Sequence, residues 1–394
     1  MNELLNTHPH ITFDKKWELA QETIFMLGQC DSIINNISNI PLKPKYKDEL
    51  LTVSLRKGAR ATTAIEGNTL TEEEVARVDE GESLPPSREY LEKEVRNIIE
   101  ALNAVMQDVI NKKNVVLVTP NLILNFHKMV GKDLGDHFNA IPGRFRSSGE
   151  EVTVGKYYPP KGRYSKDLMV RFCHWMKNEF KFETGEQHFS IKIIQAIVAH
   201  VYIAWIHPFM DGNGRTARLI EFYILLRAGL PNIASHILSN FYNNTREEYY
   251  RQLDNTVKKN NLSEFIQYAV RGFRDGLNEV YEIVQINLLE SLWENFIYSQ
   301  LDSKKASGKT KAVVKRRRNL ALNFPVEKFH SIDELFDTQA AIIKEYAKIG
   351  IATFKRDLDE LIRLELVVAE KKKYKGNIEI LQGHMASKVE NNHN

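Results

Sequence analysis

The sequence predicts an all-α protein that carries one β-hairpin and ends in a small α+β domain. Apolar residues recur at helical spacing through most of the chain, whereas strand-like alternation is scarce. Glycine, proline and β-prone residues are concentrated in residues 140–163, and the composition changes again after residue 302. These observations divide the chain into a helical body, a projecting hairpin and an appended domain.

The composition is that of a globular protein with two or three domains. The chain has 394 residues, and its 54 Lys and Arg residues nearly balance its 51 Asp and Glu residues. The resulting net charge of +3 argues against a protein that coats nucleic acid along its whole length. Only two cysteines are present, Cys30 and Cys173, which excludes a disulfide scaffold and a cysteine metal cluster.

No segment of the sequence is typical of export or membrane insertion. The N-terminus lacks a basic start followed by an apolar core. The apolar stretch at residues 191–206 is shorter than the roughly 20 residues that span a bilayer, and it contains Lys192 and His200. We therefore expect a buried helix there, a cytoplasmic location and no membrane partner.

Helical periodicity predicts an N-terminal helical region over residues 1–110 and a larger core over residues 111–300. In the core, Thr119 and Pro120 are typical of a helix start, with Thr as the cap and Pro in the first turn. A flap, which is a β-hairpin around the β-prone residues of a Gly- and Pro-rich segment, is predicted over 142–160. Helices are predicted over 46–64, 89–111, from 164 onwards, and over 191–205, 215–227, 247–258 and 262–300.

A basic linker is predicted over residues 301–325, because residues 303–325 hold eight Lys or Arg and no acid. It precedes a domain over residues 326–385. Two amphipathic helices, 332–346 and 353–364, are followed there by two β-prone runs around a basic turn. This order is typical of a winged-helix domain, which makes DNA a candidate partner. A small helical dimerisation cap is the alternative.

The segment His-Pro-Phe-Met-Asp-Gly-Asn-Gly-Arg-Thr-Ala-Arg at residues 207–218 is the centre of the predicted chemistry. A long apolar helix ends at Pro208, which places His207 at the mouth of that helix. Gly212 and Gly214 allow a tight turn that exposes backbone N–H groups. Because a second helix begins near Arg215, those groups and the positive end of its dipole face one loop. The segment therefore predicts an anion site.

The side chains of this segment suit a nucleotide with a base beside it. Arg215 and Arg218, three residues apart, offer forked donors to phosphate oxygens. Asp211 supplies a hard oxygen ligand for Mg²⁺ on phosphates, and Asn213 carries an amide donor. His207 takes up a proton near neutral pH. A lone His or Gly-x-Gly is usually structural, but here every position fits the same task.

The sequence contains no Walker loop and no His-Glu-x-x-His pair, which excludes P-loop hydrolase and zinc protease chemistry. Residues 207–218 resemble, without a mismatch, the Fic-family signature His-Pro-Phe-x-Asp/Glu-Gly-Asn-Gly-Arg-x-x-Arg. The resemblance implies a Fic-type helical core that transfers AMP from ATP to a protein hydroxyl and releases pyrophosphate. Relatives that phosphorylate carry Lys in place of the second Gly of the signature, so the intact Gly214 favours nucleotidyl transfer.

This resemblance also implies roles for single residues. His207 would deprotonate a Tyr, Ser or Thr hydroxyl of the target, which includes the protein itself, and Asp211 would hold Mg²⁺. Arg218 would bind the γ-phosphate of ATP. The remaining nucleotide-binding residues would be Gly212, Asn213, Gly214 and Arg215 at the α- and β-phosphates, together with Thr216 and Ala217.

The flap and one tyrosine pair extend the resemblance. The segment around Val154 and Gly155 is similar to the Fic flap, which adds the target's backbone as a strand and borders the nucleotide site. Tyr249 and Tyr250 resemble residues that line the adenine pocket. Core aromatics on a helix are the alternative interpretation for this pair, and Asn255 is out of step with the Asn that often follows it in the family.

An inhibitory helix is predicted at about residues 50–67. The run from Thr62 to Glu66 and Gly67 resembles the family motif Ser/Thr-x-x-x-Glu-Gly/Asn. Thr62 and Glu66 share one helix face, and a Glu paired with Arg218 would take the space of the γ-phosphate. The protein would then be autoinhibited in cis. A helix-ending Glu before a Gly cap is the alternative.

Three functions stay open at this point. The first is AMP transfer to an unknown target protein docked on the flap, with ATP and Mg²⁺ as cofactors. The second is removal of AMP, with Glu66 orienting a water. The third is DNA-binding regulation through the last domain and the basic stretch. The oligomeric state, including a homodimer, is also open.

Overall fold

The structure, a computed structural model, describes residues 2–111, 118–181, 189–234, 236–302 and 311–381. The chain divides into two compact units, which are residues 1–40 with 44–282, and residues 41–43 with 283–394. The helices from the N-terminus to residue 302 are α1 (Asn2–Thr7), α2 (Gln21–Asn39), α3 (Pro44–Ile65), α4 (Glu72–Asp79), α5 (Glu89–Asn111), α6 (Pro120–Val130), α7 (Ser165–Glu179), α8 (Phe189–Ile206), α9 (Asn213–Arg227), α10 (Ile237–Asn244), α11 (Arg246–Lys259) and α12 (Ser263–Asp302).

The predicted helices of this region are all present, because each had either an apolar stripe or a cap. Thr119 caps α6 by accepting a hydrogen bond from the Leu122 N–H at 3.2 Å, and Pro120 is the first helical residue, as predicted. Helix α2 and the short helices α1, α4 and α10 were not predicted individually. For α4 a signal was available, since Thr71 and Glu74 form a reciprocal capping box.

Helix α8 is the central element of the first unit. It is long and apolar enough to cross a membrane by length and composition, yet 67% of it is buried within the protein. A helix that is apolar on all sides belongs in a core, and α8 packs along α9 and against α2 and α7. Trp205 and Tyr202, both on α8, are almost completely buried. This packing fixes the end of α8 and the start of α9, between which lies the loop of the signature segment.

Helix α3 lies against α5 and α10 and ends beside α9. Its packing face consists of small residues, with Ala59 and Ala61 fully buried. A Cβ at Gly58 would lie 3.6 Å from the Cα of His236, the residue before α10, which is an ordinary van der Waals contact. The helix ends at Ile65, and Gly67 follows in the left-handed region with a φ of 104°. Close packing and a Gly stop therefore hold residue 66 at a fixed place.

The predicted β-hairpin of the flap is reduced to a single bridge. Val154 and Tyr157 exchange two backbone hydrogen bonds of 2.9 Å, and Gly155 turns the chain with a φ of 58°. Pro159 and Pro160 follow directly. Because proline has no N–H donor, the ladder cannot extend past Tyr158 on that side. The strands that the β-prone residues predicted therefore do not form.

The second unit contains the helix–turn–helix–hairpin order that the sequence predicts. β1 and β2 pair antiparallel with Val367 opposite Gly376, and Lys371 and Lys372 form the turn with positive φ values. A further bridge joins His330 to Tyr374. The predicted helix at 332–346 is broken at Gln339. The elements are α13 (Lys311–Leu322), α14 (Ile332–Thr338), α15 (Ala340–Tyr346), α16 (Ile351–Arg363), β1 (Val367–Glu370) and β2 (Lys373–Gly376).

The predicted basic linker over 301–325 is wrong for its described part, because residues 311–322 form α13. Two of its basic residues meet an acid of α16. Arg316 Nε lies 2.6 Å from one oxygen of Asp357 and Arg317 Nε lies 2.8 Å from the other, while Asp357 is only 1% exposed. Leu320 is buried in the same core. Ion pairing thus makes a basic run part of a packed helix. Residues 303–310 and 382–385 of these predictions lie outside the described residues.

Buried histidines give the fold a definite pH dependence. His10 is 2% exposed and its ring bonds to the Tyr157 hydroxyl at 2.9 Å. Burial, then the neighbouring His8 and Lys16, lower its pKa from 6.5 to about 3. Between these values the unfolded chain binds a proton that the folded chain does not, so stability falls as the pH drops below about 6.5.

We expect the free energy of unfolding to fall between pH 7 and pH 5, with His10 contributing roughly 2 kcal/mol of that loss. Thermal denaturation at both pH values measures it. The His10→Gln variant should show a smaller difference in Tm between the two pH values than the unsubstituted protein. His174→Gln, at an exposed ring on α7, is the control. An identical pH dependence in His10→Gln and His174→Gln would contradict this account.

Candidate active site

The loop between α8 and α9 contains two residues in the left-handed region. His207, directly after α8, has a φ of 48°, and Gly212, directly before α9, has a φ of 75°. A Cβ at Gly212 would lie 2.9 Å from the ring of Phe138, so both conformation and space require glycine there. Helix α9 begins at Asn213, two residues earlier than predicted. The predicted helix–loop–helix arrangement of the segment is confirmed.

Asn213 locks this loop through its side chain. Its Oδ1 accepts from the Phe209 N–H and its Nδ2 donates to the Phe209 carbonyl, both at 2.9 Å, and the residue is buried. The side-chain oxygen and one of the two Nδ2 hydrogens are thus engaged within the loop, and donation of the other hydrogen to a phosphate stays a prediction. Backbone N–H groups in the first turn of α9, residues 213–215, have no acceptor within the helix. These amides are donors available to an anion at this loop.

His207 is held as a neutral base. Burial and the nearby Arg146 guanidinium lower its pKa to about 4, against a hydrogen bond to the Ala204 carbonyl that raises it. At neutral pH one ring nitrogen can therefore accept a proton. The buried side chain of Arg146 donates from Nε to the His207 carbonyl at 2.8 Å and from Nη2 to the Pro160 carbonyl at 3.0 Å. Arg146, which the sequence did not single out, thus joins the loop to the base of the flap.

Arg218 is buried against the end of α3. Its Nη2 lies 2.5 Å from Oε1 of Glu66 and 2.9 Å from the carbonyl of Thr62, and its Nε lies 3.1 Å from the Thr62 hydroxyl. Among the described residues, no acceptor is within hydrogen-bond distance of its Nη1. The motif 62–66 and the second Arg of the signature are therefore in direct contact, as the sequence predicted.

Glu66 lies over the start of α9. A Cβ on Gly214 would be 2.2 Å from its Oε1, so the carboxylate occupies the space that this glycine leaves. Gly214 is helical, and its role is close approach rather than the tight turn predicted for it. Burial opposes ionisation of Glu66, but Arg218 and then Arg215 hold its pKa below the ordinary value. A negative charge thus sits at the positive end of α9.

Arg215 does not share this contact with Glu66, although the spacing predicted that both arginines point to one mouth. It forms a buried ion pair with Glu94 of α5, and its Nη2 bonds to Asp211 Oδ1 at 2.9 Å. Glu94 also accepts from Asn68 Nδ2 at 3.0 Å. Nothing in the sequence distinguished Glu94 from the neighbouring acidic residues as the partner of Arg215. The two arginines therefore contact different carboxylates: Arg218 contacts Glu66, whereas Arg215 contacts Glu94 and Asp211.

Asp211 is the only candidate metal ligand from the signature. Its Oδ1 accepts from the Gly212 N–H at 2.5 Å and its Oδ2 from the Asn139 N–H at 3.3 Å. The described part of the chain contains no group of three or more His, Cys, Asp or Glu residues arranged to hold a metal. One carboxylate that is 31% exposed fits Mg²⁺, which keeps most of its waters and takes further ligands from phosphates.

His127 of α6 packs against the loop between α8 and α9, a contact that the sequence did not predict. Its ring stacks on Phe209 with centroids 3.6 Å apart and an angle of 2°. Its Nδ1 accepts from the Gly143 N–H and its Nε2 donates to the Asp211 carbonyl, both at 2.9 Å. Burial lowers its pKa to about 4, so the neutral tautomer that these two bonds need is the stable one.

Four further predicted nucleotide contacts are not supported by the geometry. Thr216 and Ala217 are fully buried in α9 and face the core. Tyr249 is 3% exposed, and its hydroxyl pairs with His200 Nε2 at 2.9 Å, so it is a core aromatic. Tyr250 is 44% exposed, and its hydroxyl donates to the Ile65 carbonyl at 3.1 Å, which secures the end of α3.

Val154 and Gly155 lie at the turn of the flap. Val154 is 41% exposed, and Gly155 is the turning residue of the bridge. The flap is tied to α8 by the Tyr157 hydroxyl, which donates to the Trp205 carbonyl at 2.7 Å. A role of Val154 and Gly155 at the nucleotide stays a prediction.

The flap and the loop between α8 and α9 lie within a segment that matches a known family. Residues 117–225 match the family described as Fic/DOC, so the chain contains a domain of this family. The "Protein adenylyltransferase Fic" of Nematostella vectensis is 31% identical over 255 residues, 64% of this chain and 54% of the relative. The protein adenylyltransferase fic-1 of Caenorhabditis elegans is 29% identical over 211 residues, 53% of this chain and 38% of the relative. The chain thus spans about half or less of these relatives.

Solved structures show the same fold at low sequence identity. A Fic family protein from Desulfovibrio desulfuricans G20 aligns with 92% of this chain and 98% of its own, with a TM-score of 0.55 and 19% identity. Fic-1 from C. elegans aligns with 67% of this chain and 73% of its own, with a TM-score of 0.54 and 22% identity. This likeness confirms the predicted all-α Fic core.

Gly214→Ala tests the contact between Glu66 and α9. The new methyl group would collide with the carboxylate, and we expect a loss of about 1–3 kcal/mol of stability. In the Glu66→Gly background the severe contact is gone and only Arg218 Nη1, 3.1 Å from the new Cβ, remains close. Ala should then cost little or stabilise, because its helix propensity exceeds that of Gly by roughly 0.5–1 kcal/mol. Denaturant unfolding of the four combinations measures this cycle. The control is Gly28→Ala on α2, where a Cβ meets nothing within 4 Å; it should stabilise both backgrounds. Additive effects of Gly214→Ala and Glu66→Gly would disprove the contact between Glu66 and residue 214.

Proposed function

We propose that this protein is an adenylyltransferase, which transfers AMP from ATP to Tyr, Ser or Thr hydroxyls of target proteins, including itself. The relatives' names support this activity, and so does the signature loop. The observation that carries the proposal is Glu66, whose carboxylate lies against Gly214 and on Arg218. It marks the start of α9 as a site built for an anion, because a buried Arg needs an anionic partner.

The reaction is an in-line displacement at the α-phosphorus of ATP. His207 accepts the proton of the target hydroxyl on the unprotonated nitrogen of its ring, which is neutral because burial and Arg146 lower its pKa to about 4. The hydroxyl oxygen forms a bond to the α-phosphorus, and the bond between that phosphorus and the bridging oxygen breaks. Pyrophosphate leaves with the bonding electrons. Positioning and charge neutralisation supply most of the acceleration.

The phosphates have donors in fixed places. The first-turn amides of α9 face the loop, and Arg218 Nη1, buried and without an acceptor among the described residues, is available to a phosphate oxygen. When bound at Asp211, Mg²⁺ would neutralise charge on the phosphates. Arg215, which is engaged by Glu94 and Asp211, orients Asp211 rather than reaching the nucleotide itself in this state.

Glu66 makes the enzyme autoinhibited in cis. A γ-phosphate on Arg218 would need the space and the ion pair that Glu66 already holds, so ATP would bind in a non-productive pose. The three Arg218 bonds to Thr62 and Glu66 and the Tyr250 bond to the Ile65 carbonyl keep the end of α3 in this place. Activation therefore requires removal of the carboxylate from Arg218.

Glu66→Gly should raise AMP transfer, including self-modification, by about tenfold or more, which corresponds to roughly 1.4 kcal/mol of competing interaction. His207→Ala in the same background should lower it by about 10²–10⁴-fold through loss of the base. Labelling of the protein and of a cell lysate with radioactive ATP and Mg²⁺ measures both.

The matched control for this experiment is Glu72→Gln, at an exposed acid of α4, which should label like the unsubstituted protein. Equal labelling by the unsubstituted protein and Glu66→Gly would refute autoinhibition. Absence of labelling in every variant would refute AMP transfer.

Removal of AMP is a second candidate for the same site. Glu66 remains ionised beside Arg218, and a carboxylate there could orient a water towards a phosphodiester. Release of AMP from labelled lysate proteins by the unsubstituted protein, and its loss in Glu66→Gly, would favour this activity over transfer.

The second unit is a candidate DNA-binding module of the winged-helix type. Exposed basic residues lie on α16, at Lys355 and Arg356, and at the hairpin turn, at Lys371 and Lys372. In a DNA-binding domain, a helix of this kind enters a groove of the duplex, and a basic hairpin contacts the adjacent backbone phosphates. A homodimer and a cytoplasmic location stay predictions of the sequence.

The full chain should bind duplex DNA in a salt-dependent way if this second unit is a DNA module. Lys371→Glu with Lys372→Glu should weaken binding, and each lost phosphate contact should reduce the slope of log affinity against log salt by about 0.9. Gel-shift titrations at several salt concentrations measure this. The control is the pair Lys166→Glu and Lys177→Glu, at two exposed lysines of α7. If both pairs weakened DNA binding equally, the second unit would not be a specific DNA-binding module.

A further inference from the structure

A cavity of about 650 Å³ lies beside the flap, apart from the signature loop. One wall is the N-terminal segment, with Leu4, Thr7 and His8, and the other is the flap, with residues 151–153 and 158–159. We call it the flank cavity. Its volume is in the range of binding clefts rather than of packing defects. None of the residues assigned above to the nucleotide or to catalysis lines it.

The N-terminal wall of the flank cavity is firmly attached to the flap. His8 Nε2 bonds to the Tyr158 carbonyl at 2.9 Å, and His10 Nε2 bonds to the Tyr157 hydroxyl at 2.9 Å. Leu4 and Ile11, on either side of these histidines, are 3% and 1% exposed. The segment is therefore packed and hydrogen-bonded, and the cavity has two fixed walls.

The same contacts connect the flank cavity to the catalytic histidine. The Tyr157 hydroxyl, which His10 contacts, donates to the Trp205 carbonyl two residues before His207. Arg146 joins the His207 carbonyl to the carbonyl of Glu150, which precedes the flap wall. The flap wall of the cavity and the loop that holds His207 are thus joined by the same buried arginine.

The flap wall offers an edge for such a polypeptide. Residues 151–153 lie between Glu150 and the bridge at Val154, and no described residue hydrogen-bonds to their backbone N–H or carbonyl groups. Unpaired backbone next to a short bridge can accept an added strand. Successive side chains of an added strand point to opposite sides, so alternate ones would face the cavity.

The residues that line the flank cavity indicate which kind of side chain of a bound polypeptide would fit there. Leu4, Val152 and Pro159 form the apolar part of the lining, and the Tyr158 ring beside them is 71% exposed. The rest of the lining is polar or charged: Thr7, His8, Glu151, Thr153, Lys161 and Tyr164. A large apolar ring that is this exposed beside a cavity indicates a contact surface. We propose that the flank cavity binds a large apolar or aromatic side chain of the extended protein segment that carries the acceptor hydroxyl, and so determines which hydroxyls receive AMP. This inference rests on the proposed function.

The test uses the full-length Glu66→Gly protein and short fluorescein-labelled peptides with one Tyr acceptor. The peptides differ only near that Tyr, where Phe, Ala or Glu occupies one flanking position at a time. AMP transfer is followed by mass spectrometry as kcat/KM, and peptide binding by fluorescence anisotropy without ATP. We expect Phe at one flanking position to raise both affinity and kcat/KM about tenfold over Ala, and Glu to raise neither.

Filling the cavity should remove this preference. Val152→Trp places a bulky ring in the cavity, and we expect the Phe and Ala peptides to become equal within about twofold while ATP binding is unchanged. Val170→Trp, at an exposed Val on α7, is the matched control and should keep the preference. His8→Ala, which removes the bond to the Tyr158 carbonyl, should reduce the preference without abolishing transfer to other proteins.

Failure of the inference and failure of the proposed function give different results. Transfer that is equal for all peptides, or a Phe preference that survives Val152→Trp, would overturn the flank cavity as a specificity pocket while AMP transfer stands. Absence of transfer to every peptide and to the protein itself would overturn the proposed function. In that case anisotropy still decides whether the cavity binds Phe-containing peptides, since binding needs no ATP.

Discussion

The ion pair between Arg218 and Glu66 is the interaction on which the candidate site depends. A guanidinium as buried as that of Arg218 is stable only with an anionic partner and further acceptors, and α3 supplies both through Glu66 and Thr62. The two partners are 152 residues apart in the chain. Removal of Glu66 from Arg218 therefore requires another anion in its place, and in the proposed function that anion is the polyphosphate of ATP.

The fold and part of this site could be predicted from the sequence because their signals are local. The cap at Thr119, the apolar run of α8 and the Thr62–Glu66 spacing each specify a structure within a few residues. The sequence could not predict Glu94 and Arg146, whose partners Arg215 and His207 are 121 and 61 residues away. Such contacts depend on how helices pack, which the spacing along one helix does not contain.

The wrong predictions share a physical reason. Arg215 and Tyr249 were assigned to a ligand because their side chains can bind one, yet each is engaged by another part of the protein. The basic run of α13 was assigned to a solvated linker, yet Asp357 neutralises two of its arginines. Residue type shows what a side chain can bond to, whereas burial determines what it does bond to.

His207 holds a backbone conformation that favours glycine, and this has a consequence for how the domain could change under selection. A non-glycine residue in the left-handed region costs on the order of 1–3 kcal/mol. Selection for stability alone would replace this histidine by glycine, and the same step would remove the proposed base. The loop sequence that supports catalysis is therefore not the most stable one. In descendants that have lost the activity, we expect residue 207 to be among the first positions substituted.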